Sequence, residues 1–206
     1  MKRVPSCSVL VLVAAMATMP ADFAQQPARE FSADTVTHDS AGKVTRGKLY
    51  RGTSMIRMES VDSQAGPDSA AFGIVDLAQQ ISYTVIPGRK MIMVRHGKAA
   101  LGNLGIMLPV GDNPCASQGV APSDVTCKNL GSDPVNGRPT VKWQVTQPMG
   151  GQMVTAFLWV DSQLHALIKE VVGPTSVELQ NIHEGPQPAN LFEIPAAYQR
   201  MEAGRR

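Results

Sequence analysis

The stretch Phe72–Arg95, FGIVDLAQQISYTVIPGRKMIMVR, decides the fold class. It reads as three short antiparallel strands, about Phe72 to Leu77, Gln80 to Ile86 and Lys90 to Arg95. β-branched and apolar residues fill each run, and Pro87-Gly88 supplies the turn before the third. Most of the remaining chain is expected to add strands on either side of this unit.

Working outward, Phe31, Ala33, Thr35 and Thr37 alternate with Ser32, Asp34, Val36 and His38. Asp39–Gly42 reads as a turn into a strand from Lys43 to Arg51. In the next strand, Met55 to Val61, Met55, Arg57, Glu59 and Val61 share a face. Asp62 to Asp68 reads as a loop. Downstream, Lys128–Asp133 leads to the tight-turn signal Asn136-Gly137. Strands are expected at Pro139–Gln147, Gln152–Val160, Leu164–Val172 and Thr175–Ile182, before a closing segment at Asn190–Pro195. Turns recur about every ten residues, the mark of an antiparallel sheet, sandwich or barrel. One segment departs from this. Leu101, Leu104, Met107 and Leu108 are spaced as on a helix, although Gly102 and Gly105 each cost about 1 kcal/mol there.

The 206 residues suit one domain, expected over 30–198, with a disordered start at 25–29 and a flexible tail at 199–206. Hydrophobic residues make up 43% and charged residues 17%, enough to build a core. Lys2 and Arg3 precede an apolar run from Cys7 to Met19, so residues 1–24 read as a secretory signal peptide cut after Ala24 or Ala21; a retained anchor is the alternative. Without that leader 17 basic and 16 acidic residues remain, a charge of +1. So even a balance argues against nucleic acid. No run of about 18 apolar residues follows the leader, so no transmembrane span is expected there. Cys115 and Cys127 are the two cysteines left, and in an exported chain they are expected to form a disulfide; two buried thiols are the alternative.

Catalytic signatures are missing. Gly42–Leu49, GKVTRGKL, approaches a phosphate loop but ends in Leu49 where a hydroxyl is needed, and it lies in a turn and strand. His38, His96, His165 and His183 are scattered, without metal-ligand spacing. Asp76, Asp161, Glu170 and Glu178 read as turn caps or solvated strand charges. No catalytic residue, metal or cofactor is expected.

Several strands are apolar on both faces. Val154, Ala156, Leu158 and Val160 alternate with Met153, Phe157 and Trp159. Met91 and Met93 alternate with Ile92 and Val94. Two apolar faces need two covers. One of them could be an apolar ligand, which methionine accommodates well; a plain sandwich core is the alternative.

Three groups of residues resemble exported bacterial proteins that share the fold of the LolA and LolB outer-membrane lipoprotein carriers. The first is Lys48-Leu49-Tyr50 with Met55–Glu59. The second is Asp76-Leu77 with Tyr83–Lys90. The third is Val135–Arg138, Lys142-Trp143, Phe157–Asp161 and Leu191–Tyr198, where Ala197 replaces the family's usual glycine. The resemblance implies a mainly β fold: a strongly curved antiparallel sheet, an open half-barrel, with short lid helices. Lys98–Leu108 would be such a lid. It further implies a non-catalytic periplasmic binding or carrier protein for a lipid, lipoprotein or other hydrophobic ligand. A protein–protein interaction or sensor scaffold of the envelope is the alternative. The candidate ligand-binding residues are Met55, Arg57, Tyr83, Met91, Met93, Phe157 and Trp159.

Overall fold

The structure, a computed structural model, describes residues 29–61, 70–97, 100, 114 and 124–203. The expected leader, the loop at 62–68, most of the Lys98–Leu108 lid and Cys115 fall outside these residues.

The alternating runs form strands as anticipated. The first half gives β1 (Phe31–His38), β2 (Val44–Arg51), β3 (Met55–Ser60), β4 (Phe72–Asp76), β5 (Ile81–Ile86) and β6 (Met91–His96). The second gives β7 (Thr126–Ser132), β8 (Val141–Met149), β9 (Gln152–Asp161), β10 (Ala166–Val172) and β11 (Thr175–Glu184). The turns have identifiable causes. Asp39 Oδ1 accepts the N–H groups of Ala41 and Lys43, both at 2.9 Å. At Asn136-Gly137 both residues have positive φ, 51° and 75°, as a tight hairpin turn requires. Val135 and Arg138 close that turn by bridging to each other.

With a twelfth strand, β12 (Gln199–Glu202), the strands form one curved, unclosed sheet, ordered β12-β6-β5-β4-β3-β2-β1-β11-β10-β9-β8-β7. Two antiparallel meanders therefore meet where β1 pairs with β11. Strands do add on either side of the Phe72–Arg95 unit, β12 on one side and eight on the other. The unit lies toward one end, because β1, first in sequence, zips the two halves together. Residues 199–202, expected to belong to a flexible tail, form a further strand, β12 (Gln199–Glu202), parallel to β6. The N–H of Gln199 donates to Lys90 O at 2.9 Å and that of Ala203 to Val94 O at 2.8 Å. β6 would otherwise present an unpaired main-chain edge. Of the expected Lys98–Leu108 lid only Ala100 is described, and it is helical.

Cross-strand pairs fix the two faces of the sheet, since directly paired residues point the same way. Phe31, Arg51, Ile56 and Val75 form one row. They share a face with Leu49, Leu158 and Leu179, here the Leu49 face. This face carries most of the main core, whose Phe31, Leu49, Ile56, Leu158 and Leu179 are at most 1% exposed. Asp34, Lys48, Glu59, Phe72, Val85 and Ile92 form a row on the opposite side, the Val85 face.

In the first half the Val85 face is closed by the chain's own C-terminal segment. A 3-10 turn at Ala189–Phe192 crosses β3. Ile194 and Tyr198 then pack on Val85, Ile92 and Val94, and the chain continues into β12. Arg57 fastens this strap. Its Nη1 donates to Leu191 O at 2.9 Å, its Nε to Glu59 Oε1 at 2.6 Å, and its guanidinium lies 3.8 Å from the centre of the Phe72 ring. Gly52 leaves room for the strap, since a Cβ there would press on the Phe192 ring at 3.2 Å.

Arg57→Ala removes both hydrogen bonds and the stacking. It is expected to lower stability by about 2–3 kcal/mol, with Arg57→Lys less damaging. Hydrogen exchange of residues 189–203 checks the cause: faster exchange there, ahead of the rest of the sheet, is the expected result.

Candidate functional site

The residues expected to line a ligand do not converge. Met55, Arg57 and Tyr83 lie on the Val85 face of the first half. Arg57 is occupied there by the strap and Glu59. Met91 and Met93 lie on the Leu49 face, Met93 in a row with Thr84, Gly73 and Met58. Phe157 and Trp159 lie on the Val85 face of the second half, on β9, far along the sheet from β3. The cover over those two aromatic residues is lysine. Lys142 Nζ stands 4.6 Å from the Trp159 ring centre and 5.5 Å from that of Phe157, and Lys169 Nζ stands 5.4 Å from that of Trp159. Lysine stems hide apolar surface while their ammonium groups stay wet, and aromatic faces attract them. Trp159 Nε1 donates to Asp133 Oδ2 at 3.0 Å, and the same carboxylate pairs with Lys142. The hydrogen bonds from Trp159 and Lys142 hold the Asp133 carboxyl below its ordinary pKa.

Two of the carboxylates singled out in the sequence, Asp76 and Asp161, cap turns. Asp76 Oδ1 accepts the N–H of Gln79, and Asp161 Oδ1 those of Gln163 and Leu164. Asp161 is wholly buried and also receives Arg138 Nε at 2.6 Å. Gly47, part of the incomplete phosphate-loop pattern, lies in β2, where a Cβ would collide with Glu59 O. A steric need therefore accounts for that glycine.

On the Leu49 face sit polar groups that the sequence reading passed over. Arg51 is 1% exposed. Its Nη1 donates to His165 O at 3.2 Å and its guanidinium lies 5.8 Å from the Phe31 ring centre, but Nε and Nη2 have no hydrogen-bond partner among the described residues. Burial pushes its pKa down to about 10, so it remains charged at neutral pH. Trp143 Nε1 and Gln147 Oε1, on β8, are buried without hydrogen-bond partners among the described residues as well. Glu170 forms a row with Leu158 and Trp143, and burial raises its carboxyl pKa. Arg51 was legible in part, since the Leu49 alternation puts it on the apolar side. Val141, Trp143 and Val145 share a face by the same alternation, which puts Trp143 and Gln147 on the apolar side too; the want of a partner for their polar atoms was not legible.

A second polar cluster lies on β11. β10 pairs with β11 only from Thr175 to Glu178. Beyond Glu178 the two strands part, and a cleft of about 430 Å³ opens, lined by Asn136, Arg138, Leu179, Gln180, Asn181 and Ile182. Asn136 Nδ2 donates to Glu178 Oε1 at 3.0 Å and to Leu179 O at 3.1 Å. Gln180 Nε2 donates to Glu178 Oε1, and Asn181 Nδ2 to Asp34 Oδ2. The turn at Asn136 was legible, but the reach of its side chain to β11 was not. Among the described residues no group of three metal-ligating side chains forms.

No protein-family model and no curated protein matches this chain. Solved structures do. MucB aligns over 84% of this chain at 14% identity and a TM-score of 0.54, and the chain spans 60% of MucB's length. The Pseudomonas aeruginosa MucA/MucB complex aligns over 84% at 14% identity and a TM-score of 0.52, covering 58% of that chain. An uncharacterised conserved protein from Thermus thermophilus aligns over 85% of this chain and 91% of its own, at 9% identity and a TM-score of 0.53. A Vibrio parahaemolyticus lipoprotein-sorting domain and the Mycobacterium tuberculosis lipoprotein LppX also match, at TM-scores of 0.36 and 0.42, too low to bear further comparison. At these identities the likeness is one of fold.

The buried charges generate a paired test. Glu170 has a folded pKa above its unfolded value of about 4.5, so its favourable contribution is complete below that pH and lost as pH rises through the folded value. Glu170→Gln should therefore raise the melting temperature at pH 7 and leave it unchanged near pH 3. Arg51→Met, which replaces a poorly satisfied buried charge with apolar bulk, should be neutral or stabilising by about 1–3 kcal/mol in denaturant titrations. Arg51→Ala should destabilise by leaving a void.

Proposed function

We propose that this chain is a non-catalytic binding protein of the cell envelope that carries a hydrophobic guest, a lipid or the acyl part of a lipoprotein, against its Leu49 face. One observation carries the reading. Buried on that face are Arg51 Nε and Nη2, Trp143 Nε1 and Gln147 Oε1, all without a hydrogen-bond partner among the described residues, amid an apolar wall. Native cores satisfy such groups, and exceptions call for an explanation. A guest with a polar end and an apolar body satisfies both kinds of surface. Each buried methylene contributes about 0.8 kcal/mol, so a dozen supply about 10 kcal/mol before ordering costs.

The rest of the reading follows from an envelope location. Residues 1–24 act as a cleaved leader, and Cys115 pairs with Cys127, which is not free on β7. A second occupant, an apolar protein segment, is supported by the likeness to a MucA/MucB complex and by exposed Met149 and Met153 at the β8–β9 hairpin.

Mass spectrometry of protein purified from an envelope fraction tests this. The expected result is a chain starting at Gln25 or Asp22, lighter by two hydrogens than its reduced form, with stoichiometric lipid released on extraction. A lipid-free protein that copurifies with a peptide segment would favour the second occupant. A chain free of both would contradict the proposal.

A further inference from the structure

The cleft on β11 opens beside Gln180, on the Val85 side of the sheet, away from the surface assigned to a hydrophobic guest. Its chemistry is set by three primary amides. The orientation of each is dictated by its partner, because only the NH2 end of an amide can donate to a carboxylate. Asn136 and Gln180 turn their NH2 groups to Glu178, and Asn181 turns its NH2 to Asp34. This leaves Asn136 Oδ1, Gln180 Oε1 and Asn181 Oδ1 as acceptors with no partner among the described residues.

The surroundings narrow the class of ligand. Every charge at the rim is compensated. Arg138 pairs with Asp161 and Glu184, Lys169 with Glu178, and Lys48 with Asp34. An anion would find no spare cation, and a metal ion would face the Arg138 guanidinium. Strand addition is blocked too. Leu179 O already accepts from Asn136, and Asn181 O accepts from His183 Nδ1 at 2.7 Å. What remains is a set of neutral acceptors in a cleft large enough for one or two sugar rings.

We propose that this cleft binds a neutral, multiply hydroxylated ligand, a sugar whose hydroxyls donate to the oxygens of Asn136, Gln180 and Asn181. Asn136 and Asn181 hold left-handed backbone, φ 51° and 50°, which asparagine tolerates better than most residues. The hairpin turn at Asn136 and the irregularity of β11 at Asn181 place the two amides at the cleft. The site is independent of the guest proposed for the Leu49 face, and either can fail without the other.

The test is a titration of the full ¹⁵N-labelled chain with glucose, galactose, mannose and N-acetylglucosamine, each to tens of millimolar, followed by NMR. The expected result is a saturable shift for at least one sugar in the side-chain amides of Asn136, Gln180 and Asn181. Gln180→Ala, at a partly exposed position, should fold normally by circular dichroism and bind about three- to tenfold more weakly, the loss of one neutral hydrogen bond. No saturable shift with any of the four sugars would overturn the proposal. So would shifts that survive Gln180→Ala and Asn136→Ala unchanged, or a response to calcium chloride in place of sugar.

Discussion

A sheet one layer thick has two faces, and if both are apolar, both must be kept from water. Burial of apolar surface is the dominant favourable term in folding, and a twelve-stranded sheet cannot obtain it from its own hydrogen bonds. The chain meets this constraint in three ways. On the Val85 face of the first half it folds its own C-terminal strap over Val85, Ile92 and Val94. On the same face of the second half it lays lysine stems over Phe157 and Trp159. On the Leu49 face the wall is the main core itself, and polar atoms without a hydrogen-bond partner among the described residues are set into it. The different covers give the faces different roles.

The strap depends on one arginine. Arg57 reaches a backbone carbonyl, a carboxylate and an aromatic ring at once, which takes the planar fork of a guanidinium. It also delivers the chain to β12, which shields the edge of β6. The sheet's other edge, β7, is shorter than the β8–β9 hairpin beside it and leaves Met149 and Met153 exposed. One end of the sheet is thus closed by the chain itself, and the other presents apolar side chains to solvent.

The strand pattern was legible because its signals are local. Alternation at Phe31–His38, Asn136-Gly137 and Gly150-Gly151 each specify structure over a few residues. Doubly apolar strands were legible too, in Leu158 against Trp159. What covers them was not, because a lysine on a neighbouring strand is invisible to periodicity. β12 escaped for the same reason: QRME has no strand pattern and pairs only because β6 offers an edge. The supposed ligand-lining set dispersed because side-chain parity gives a face but not a position on it. The amide cluster on β11 combines Asn136, Gln180 and Asn181 through a split between β10 and β11, a long-range event that no local motif announces.

The central claim is that the Leu49 face, and not the Val85 face, receives the guest. Photo-crosslinking of the full chain with a diazirine-bearing fatty acid, followed by peptide mapping, tests it directly. The account predicts labels at Met58, Val145 and Leu158, competed away by natural fatty acid, with Val85, Ile92 and Tyr198 unlabelled. Labels confined to the strap and the Val85 face, or no competable label at all, would contradict it.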